Sequence, residues 1–431
     1  MSIKKVIVVG SGNAALCAGI AALEKGAQVT IIEKAPETQS GGNSRYTAGA
    51  MRFAYHSNEE ILPLLLNPED ERIKRTEFGT YTKEKFQQDL LAFNEGKPLS
   101  LHQNYLIDRS YETMAWLGTH EVKFEPIYSR QTFEKDGKYI FWGGLTLEAK
   151  GEGVGLVDAE KKAFLRLGGI IKYQTAGKAL IVEDNTIKGI TCDTPSGEVA
   201  QPADAIVLGC GGFEASSSLR NKHMGADWVK AKVRGTPHNQ GDGLEMALAH
   251  GAQFHGIKNG CHATPMDLHM PDYGNLDIPY IERKHYRKIC YFLGVMLNAN
   301  GERFVDEGKN FRNYTYAQFG RAILEQPNHF AWQIFDQKVD HLLYSEYRFW
   351  DASFVEADTL EELITKLEGV DQAQAAKTLA DYNKAVDQNT AFDPTILDGK
   401  ATRGLNLNKT NRANKLDHTP FKAYQVTCGI T

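Results

Sequence analysis

The first 34 residues of this sequence predict an α/β fold built on a Rossmann-like, dinucleotide-binding unit, and three observations carry that prediction. Val6 to Val9 is an unbroken β-branched run that passes straight into glycines, the pattern of a strand buried on both faces. Leu16, Ile20 and Leu23 then recur at helical spacing among small alanines until Gly26. A second apolar strand, Val29 to Ile32, closes on Glu33.

Each element has a physical task. Gly10 permits a tight turn, and Gly12 lets a pyrophosphate approach the backbone. Ala14 and Ala15 open the helix, and Ala15, in the third small position, keeps it close to the sheet. The phosphates are expected on the helix N-terminus, where N–H groups and the dipole favour an anion. Glu33 follows Gly10 by 23 residues, the distance at which a carboxylate accepts both ribose hydroxyls and repels a 2′-phosphate. The plainer alternative is an ordinary strand–helix–strand turn with no ligand.

Composition bounds the rest. A chain of 431 residues with 42% hydrophobic content supports two or three domains and a large core. The net charge of −5 is mild and no basic block is present, which argues against nucleic acid. An anionic ligand would then be held by locally placed arginines. The absence of an apolar run of membrane-spanning length and of a signal-like N-terminus leads to the expectation of a soluble, cytoplasmic protein. Six cysteines lack any CxxC spacing and 13 histidines lack HExxH, so no metal is expected.

Beyond Glu33-Lys34 comes Gly41-Gly42-Asn43-Ser44, running on to Gly49. Paired glycines with small polar residues describe a backbone lying against something flat. A nicotinamide enzyme has no need of this second stretch so close to the ribose acid, whereas an extended FAD would meet it. Together, Gly10 to Ala15, Glu33-Lys34 and Gly41 to Ser44 resemble the N-terminal signature of the fumarate reductase and succinate dehydrogenase flavoprotein family. The details Gly12 to Cys17 and Gly-Gly-Asn-Ser are similar to the branch containing FAD-dependent tricarballylate dehydrogenase. The resemblance implies a Rossmann-like FAD-binding domain with an inserted α+β capping domain. No histidine lies between Gly41 and Met51, where covalently flavinylated members attach the ring, so noncovalent FAD is expected.

Residues 59 to 125 read as helices packed on the nucleotide domain, their charges a solvated face. Tyr139 to Gly144 reads as a strand into a turn, followed by a helix from Gly151–Gly155 to Gly168 and a strand at Ile170 to Tyr173. Leu180 to Val182 and Ile187 to Thr191, with a turn at Pro195-Ser196-Gly197, read as an antiparallel meander. The strand ending in Gly209-Cys210-Gly211-Gly212-Phe213 resembles the family's Ala-Thr-Gly-Gly-Phe segment, which implies FAD contact at Gly211 and Gly212. Gly241-Asp242-Gly243 opens a helix, with Asp242 a helix-cap carboxylate, an FAD ligand by resemblance, or both. The expected division is residues 1–254 for the FAD-binding domain, 255–419 for the cap, and 420–431 for the start of the chain's return.

The strongest catalytic signal runs from Asn298 to Glu307, followed by Arg312. It resembles the family's Asn-x-x-Gly-x-Arg-Phe-x-x-Glu motif, in which a downstream arginine transfers the proton. Arg312 takes that role by resemblance, although one extra residue precedes it. Arg303 is either catalytic or a structural partner of Glu307 or Asp306. His262 and Thr264, in Cys-His-Ala-Thr-Pro, fall where the family binds a substrate carboxylate. Arg287, with Glu282 and Arg283, falls near the family's Glu/Arg relay, and His255, His269 and His285 are expected to be structural. Arginine forks suit this chemistry because they hold carboxylates bidentately and stabilise charge developing there.

The resemblance implies an FAD-dependent oxidoreductase of small polycarboxylates, above all tricarballylate going to cis-aconitate, with a separate electron-transfer partner, soluble or membrane-bound. Fumarate-type alkene reduction, 3-ketosteroid 1-dehydrogenation and a truncated, inactive FAD-binding remnant are the alternatives. The family's C-terminal flavin segment would follow Thr431, so the sequence reads as a fragment.

Overall fold

A computed structural model describes residues 3–94, 96–141, 144–255, 259–274, 278, 286–348 and 352–431. Trp142, Gly143, Glu282, Arg283 and His285, all singled out above, lie outside the described residues. The fold is α/β, an FAD-binding fold with an additional domain. The chain forms two compact units, residues 1–216 with 235–255 and residues 217–234 with 256–431.

Unit 1 is organised by a four-stranded parallel sheet. β1 (Lys5–Val9) lies between Ala205–Leu208 and β2 (Gln28–Ile32), and Ile170–Lys172 pairs with the far side of β2. The alternation of the strands divides the apolar residues between two faces. Val8, Val29 and Ile31 pack under the first helix, α1 (Asn13–Glu24), and the helix Glu152–Arg166. Ile7, Val9 and Ile32 pack on the other face with Ile190, Cys192 and Met246. The strand is therefore buried on both sides, as its β-branched run requires.

The meander is present as Ala176–Glu183, Thr186–Thr194 and Gly197–Pro202. The helices Lys83–Phe93 and Leu101–Thr119 help to build a separate core around Phe53, Tyr55, Phe86, Met114 and Phe124. Ser100 and Gln103 form a capping box that starts the longer of the two. Among the described residues, no helix is long and apolar enough to cross a membrane.

Unit 2 is built on a mixed sheet whose organising strand is Phe421–Ile430. It pairs with Ala263–Asp267, Phe330–Phe335 and Phe354–Ala357 antiparallel, and with Lys232–Val233 parallel. The helix Arg312–Leu324 crosses Ala263–Asp267 so closely that a Cβ on Gly320 would fall 2.4 Å from the backbone of Ala263 and Thr264.

Two expected boundaries give way here. Residues 421–430 do not return to the first unit, because their hydrogen bonds run to four strands of the second. Residues 217–234, expected in the FAD-binding domain, belong to unit 2, since Val233 pairs with Ile430.

Candidate functional site

The glycine turn after β1 is shaped by sterics. Gly10 has φ +96°, and a Cβ there would lie 2.8 Å from the carbonyl oxygen of Gly209. Gly209 in turn abuts Ala15, whose Cβ would be 2.8 Å from a side chain at 209. Ala15 thus keeps α1 against the sheet, as its size suggested. Gly12 caps α1 without a side-chain hydrogen bond, leaving the helix start to backbone groups.

Hydrogen bonds join the turn to two later segments. Ser44 Oγ accepts from the Asn13 N–H at 3.0 Å, and Ser11 Oγ accepts from the Gly41 N–H at 2.9 Å. Ser11 also donates to the carboxylate of Glu33, which accepts from the Ala35 N–H at 2.7 Å. Glu33 is buried and held in one orientation. Asn43 Oδ1 accepts from the Thr236 N–H at 3.0 Å, and Lys34 Nζ pairs with Asp242 Oδ2 at 2.8 Å.

These segments enclose a cavity of about 380 Å³ within unit 1. Of the residues expected to bind a cofactor, Gly10, Gly12, Ala14, Glu33, Lys34, Gly42, Asn43, Ser44, Gly211 and Asp242 line it. Ala15, Gly41, Gly49 and Gly212 stand outside the lining. Gly49 instead clears the backbone of Glu152, 2.7 Å from where its Cβ would be, and Gly212 clears the carboxylate of Glu214. The sequence reading missed Ser11, Asn13, Thr175, Gly177, His238 and Asn239, which also line the cavity. A polar run just ahead of the Gly241-Asp242 helix start was the available signal for the last two.

The lining suits an extended dinucleotide. It places an uncapped helix start, a fixed carboxylate and an open glycine edge at Gly42 around one cavity, and a Cβ at Gly42 would meet nothing within 4 Å. The buried Oδ1 of Asn239 has no hydrogen-bond partner, and its residue lines the same space.

Unit 2 holds the residues expected to do chemistry. Arg312 begins its helix, is buried, and donates from Nε to the hydroxyl of Tyr344 at 3.2 Å. Its guanidinium lies 5.2 Å from the Tyr344 ring and 6.0 Å from the ring of Tyr316, one helical turn on. On Tyr316, His262 packs edge-to-face at 5.2 Å between centroids. Burial, with the nearby positive charge of Arg234, lowers the His262 pKa to about 4, so the imidazole is neutral at pH 7. Burial works against the charge of Arg312, yet Tyr344, Tyr316 and Tyr291 leave its pKa above the ordinary arginine value. Arg312 is therefore a fixed cation.

Arg303, Arg287 and Thr264 are engaged in structural contacts. Arg303 forks onto Glu307 at 3.1 and 2.5 Å and donates to the Leu407 carbonyl at 2.7 Å. That geometry is the ion pair with Glu307 that the spacing allowed. Arg287 pairs with buried Glu346 at 2.8 Å. Thr264 sits inside its strand with Oγ1 at 3.4 Å from the Gly429 carbonyl. His269 takes a turn contact, its N–H donating to Asp267 at 3.0 Å.

The family model for the FAD binding domain matches residues 5–427. The chain belongs to this family of flavoproteins, that of fumarate reductase and succinate dehydrogenase. FAD is its cofactor. This flavoprotein is 27% identical to a probable fumarate reductase, Ifc3, of Shewanella frigidimarina over 440 residues, covering 99% of this chain and 64% of that protein. It is 25% identical to an NADH:acrylate oxidoreductase of Vibrio harveyi over 468 residues, covering 96% of this chain and 44% of the relative. The flavoprotein thus spans less than two thirds of the length of either. Its fold matches that of a 3-ketosteroid Δ1-dehydrogenase from Sterolibacterium denitrificans with a TM-score of 0.71 and 18% identity, over 100% of this chain and 88% of that one.

Proposed function

We propose that this flavoprotein reduces a carbon–carbon double bond conjugated to a carboxylate, as fumarate-type reductases do. The observation that supports the reading is the grouping of Arg312, Tyr316, Tyr344 and His262, a fixed cation and a neutral imidazole that both neighbour the ring of Tyr316. The relatives named for fumarate and acrylate favour the same substrate class.

Bound noncovalently by the residues lining the unit 1 cavity, FAD supplies the two-electron exchange with one carbon of the double bond. Arg312 holds the substrate carboxylate and stabilises the enolate-like charge that develops on it. Tyr344, hydrogen-bonded to Nε, fixes the guanidinium plane. His262, neutral, offers one N–H to a carboxylate oxygen and adds no second charge. An arginine that keeps its proton makes a poor base, so oxidation through Arg312 is disfavoured and delivery of a proton to the carbon beside the carboxylate is the easier direction.

Tricarballylate becomes a weaker substrate on this geometry. Three carboxylates call for several guanidinium groups, and Arg303 and Arg287 are committed to buried carboxylates of the protein. A second reading, dehydrogenation beside a ring ketone, is favoured by the two tyrosines flanking Arg312 and by the steroid-dehydrogenase fold match. A separate electron-transfer partner supplies the electrons in the first reading and removes them in the second.

The deciding experiment follows oxidation of chemically reduced flavin without oxygen, using fumarate, acrylate, cis-aconitate and a 3-ketosteroid-1-ene. Reoxidation by an enoate that falls roughly 100-fold or more in Arg312→Lys is expected. Reoxidation by the steroid alone, or an enoate rate unchanged in Arg312→Lys, overturns the proposal.

A further inference from the structure

Arg234 was not among the residues expected to do chemistry, yet the second sheet brings it to the same corner of unit 2 as His262. Val233 pairs with Ile430 on one side of the strand Phe421–Ile430, and Ala263 pairs with Ile430 on the other. The next residues beyond that row are Arg234, Thr431 and His262. Neighbouring strands lie about 4.8 Å apart, so the two outer backbones are roughly 10 Å apart, a span that an arginine and a histidine side chain close between them.

Hydrogen bonds hold this end of the sheet together. The Arg234 N–H donates to the Ile430 carbonyl at 2.8 Å, and the Thr431 N–H donates to the His262 carbonyl at 3.3 Å. Thr431 Oγ1 accepts from Arg234 Nε at 3.2 Å and donates to the Arg234 carbonyl at 3.1 Å. One hydroxyl thus ties the guanidinium of Arg234 to its own backbone. A guanidinium carries five N–H donors, so the tie at Nε orients the group and is compatible with a fork onto a ligand. None of the three residues is fully buried.

The charge of Arg234 reaches the imidazole, where it adds to burial in holding the His262 pKa down. His262 also packs on Tyr316, whose ring neighbours Arg312. One neutral histidine is therefore associated with two guanidinium groups, one following a strand and one opening a helix. A substrate with a single carboxylate calls for only one of them. The plainer alternative is that Arg234 does no more than clasp the strand end.

We infer that Arg234, oriented by Thr431, is a specificity-determining residue that holds a second carboxylate of the substrate, so that the site selects dicarboxylic over monocarboxylic enoates. Thr431 acts as a positioning residue. The inference rests on the enoate reduction proposed above and deepens it.

The test follows anaerobic reoxidation of the chemically reduced, FAD-loaded chain by fumarate and by monomethyl fumarate, which keeps the double bond and one carboxylate. The ratio of the two kcat/KM values is internal to each variant, so a loss of stability or of flavin does not move it. A charge-assisted contact to the second carboxylate is expected to give the parent chain a roughly 10- to 100-fold preference for the diacid. Arg234→Gln should bring the ratio close to one, and Thr431→Val should shift it the same way by releasing the guanidinium. Should Arg234→Gln fail to fold, Arg234→Lys, which keeps the charge without the fork, carries the test with an intermediate ratio. A parent ratio near one, or a high ratio unchanged in the Arg234 variants, overturns the inference and leaves enoate reduction standing. A parent flavin reoxidised by neither compound overturns the enoate reading itself, and the inference with it.

Discussion

Lys34 and Asp242 meet as an ion pair at 2.8 Å although 208 residues separate them. One follows β2 and the other begins the helix Asp242–Ala249, so the contact ties the end of one strand to a helix start across the dinucleotide cavity. Resemblance alone assigned Asp242 to FAD, but its carboxylate is already engaged by an ammonium.

The two roles give opposite results on substitution. Asp242→Asn removes the counter-charge and leaves Lys34 to face the cofactor diphosphate, so FAD binding is expected to tighten roughly two- to tenfold at low salt and to return to the parent value at high salt. The side chains are 31% and 42% exposed, so screening keeps the stability change below ~1 kcal/mol. FAD titrations at two ionic strengths check this, and weaker binding in Asp242→Asn would restore Asp242 as a cofactor ligand.

Arg303 and Glu307 give a larger effect on stability. Their side chains are 4% and 0% exposed, and Glu307 also accepts from the Met296 N–H at 2.8 Å. Arg303→Met leaves a buried carboxylate uncompensated and is expected to cost about 3–5 kcal/mol in urea unfolding. Arg303→Met combined with Glu307→Leu should recover most of that loss. A single variant that unfolds like the parent yet has lost activity would return Arg303 to a catalytic role.

Glu160 sets a pH dependence. It is wholly buried between α1 and the helix Glu152–Arg166, its Oε1 accepts from the Cys17 thiol at 3.5 Å, and burial pushes its carboxyl up to about 8 from an ordinary 4.5. The folded chain therefore keeps a proton that the unfolded chain loses near pH 4.5. The stability linked to this group is complete below that pH, declines as pH rises towards 8, and levels off above it. Glu160→Gln, neutral throughout, should gain stability relative to the parent across that window, read as urea midpoints at pH 5, 6.5 and 8. A constant difference between the two proteins would show that the carboxyl titrates normally.

Local pattern made much of unit 1 legible. The β-branched run, the glycines after it and Glu33 report burial, backbone conformation and charge within a few dozen residues, and those are properties that neighbouring side chains determine. Gly41 to Ser44 was legible for the same reason, because Gly41 has close neighbours in Arg45 and Val157 and the segment hydrogen-bonds to the glycine turn. Asn239 was not, since its place is set by Glu214 and Gly211, which only the folded chain brings to it. The arginines of unit 2 show the same limit. Spacing placed Arg303 and Arg312 in one motif, but only tertiary contacts distinguish a guanidinium clasped by Glu307 from one set among tyrosines. The exchange of 217–234 and 421–430 into unit 2 rests on strand pairings far apart in sequence, to which hydrophobic periodicity is blind.

The strand Phe421–Ile430 also dictates an order of events during synthesis. Ala263–Asp267, which follows His262, takes its register from residues Val426 to Ile430, and Phe330–Phe335 pairs with the same strand. A ribosome that has just completed the Arg312–Leu324 helix has therefore synthesised His262 and Arg312 before the strand whose ladder aligns them. The nascent second unit must wait about a hundred further residues with apolar strand edges open, an interval in which it is exposed to aggregation.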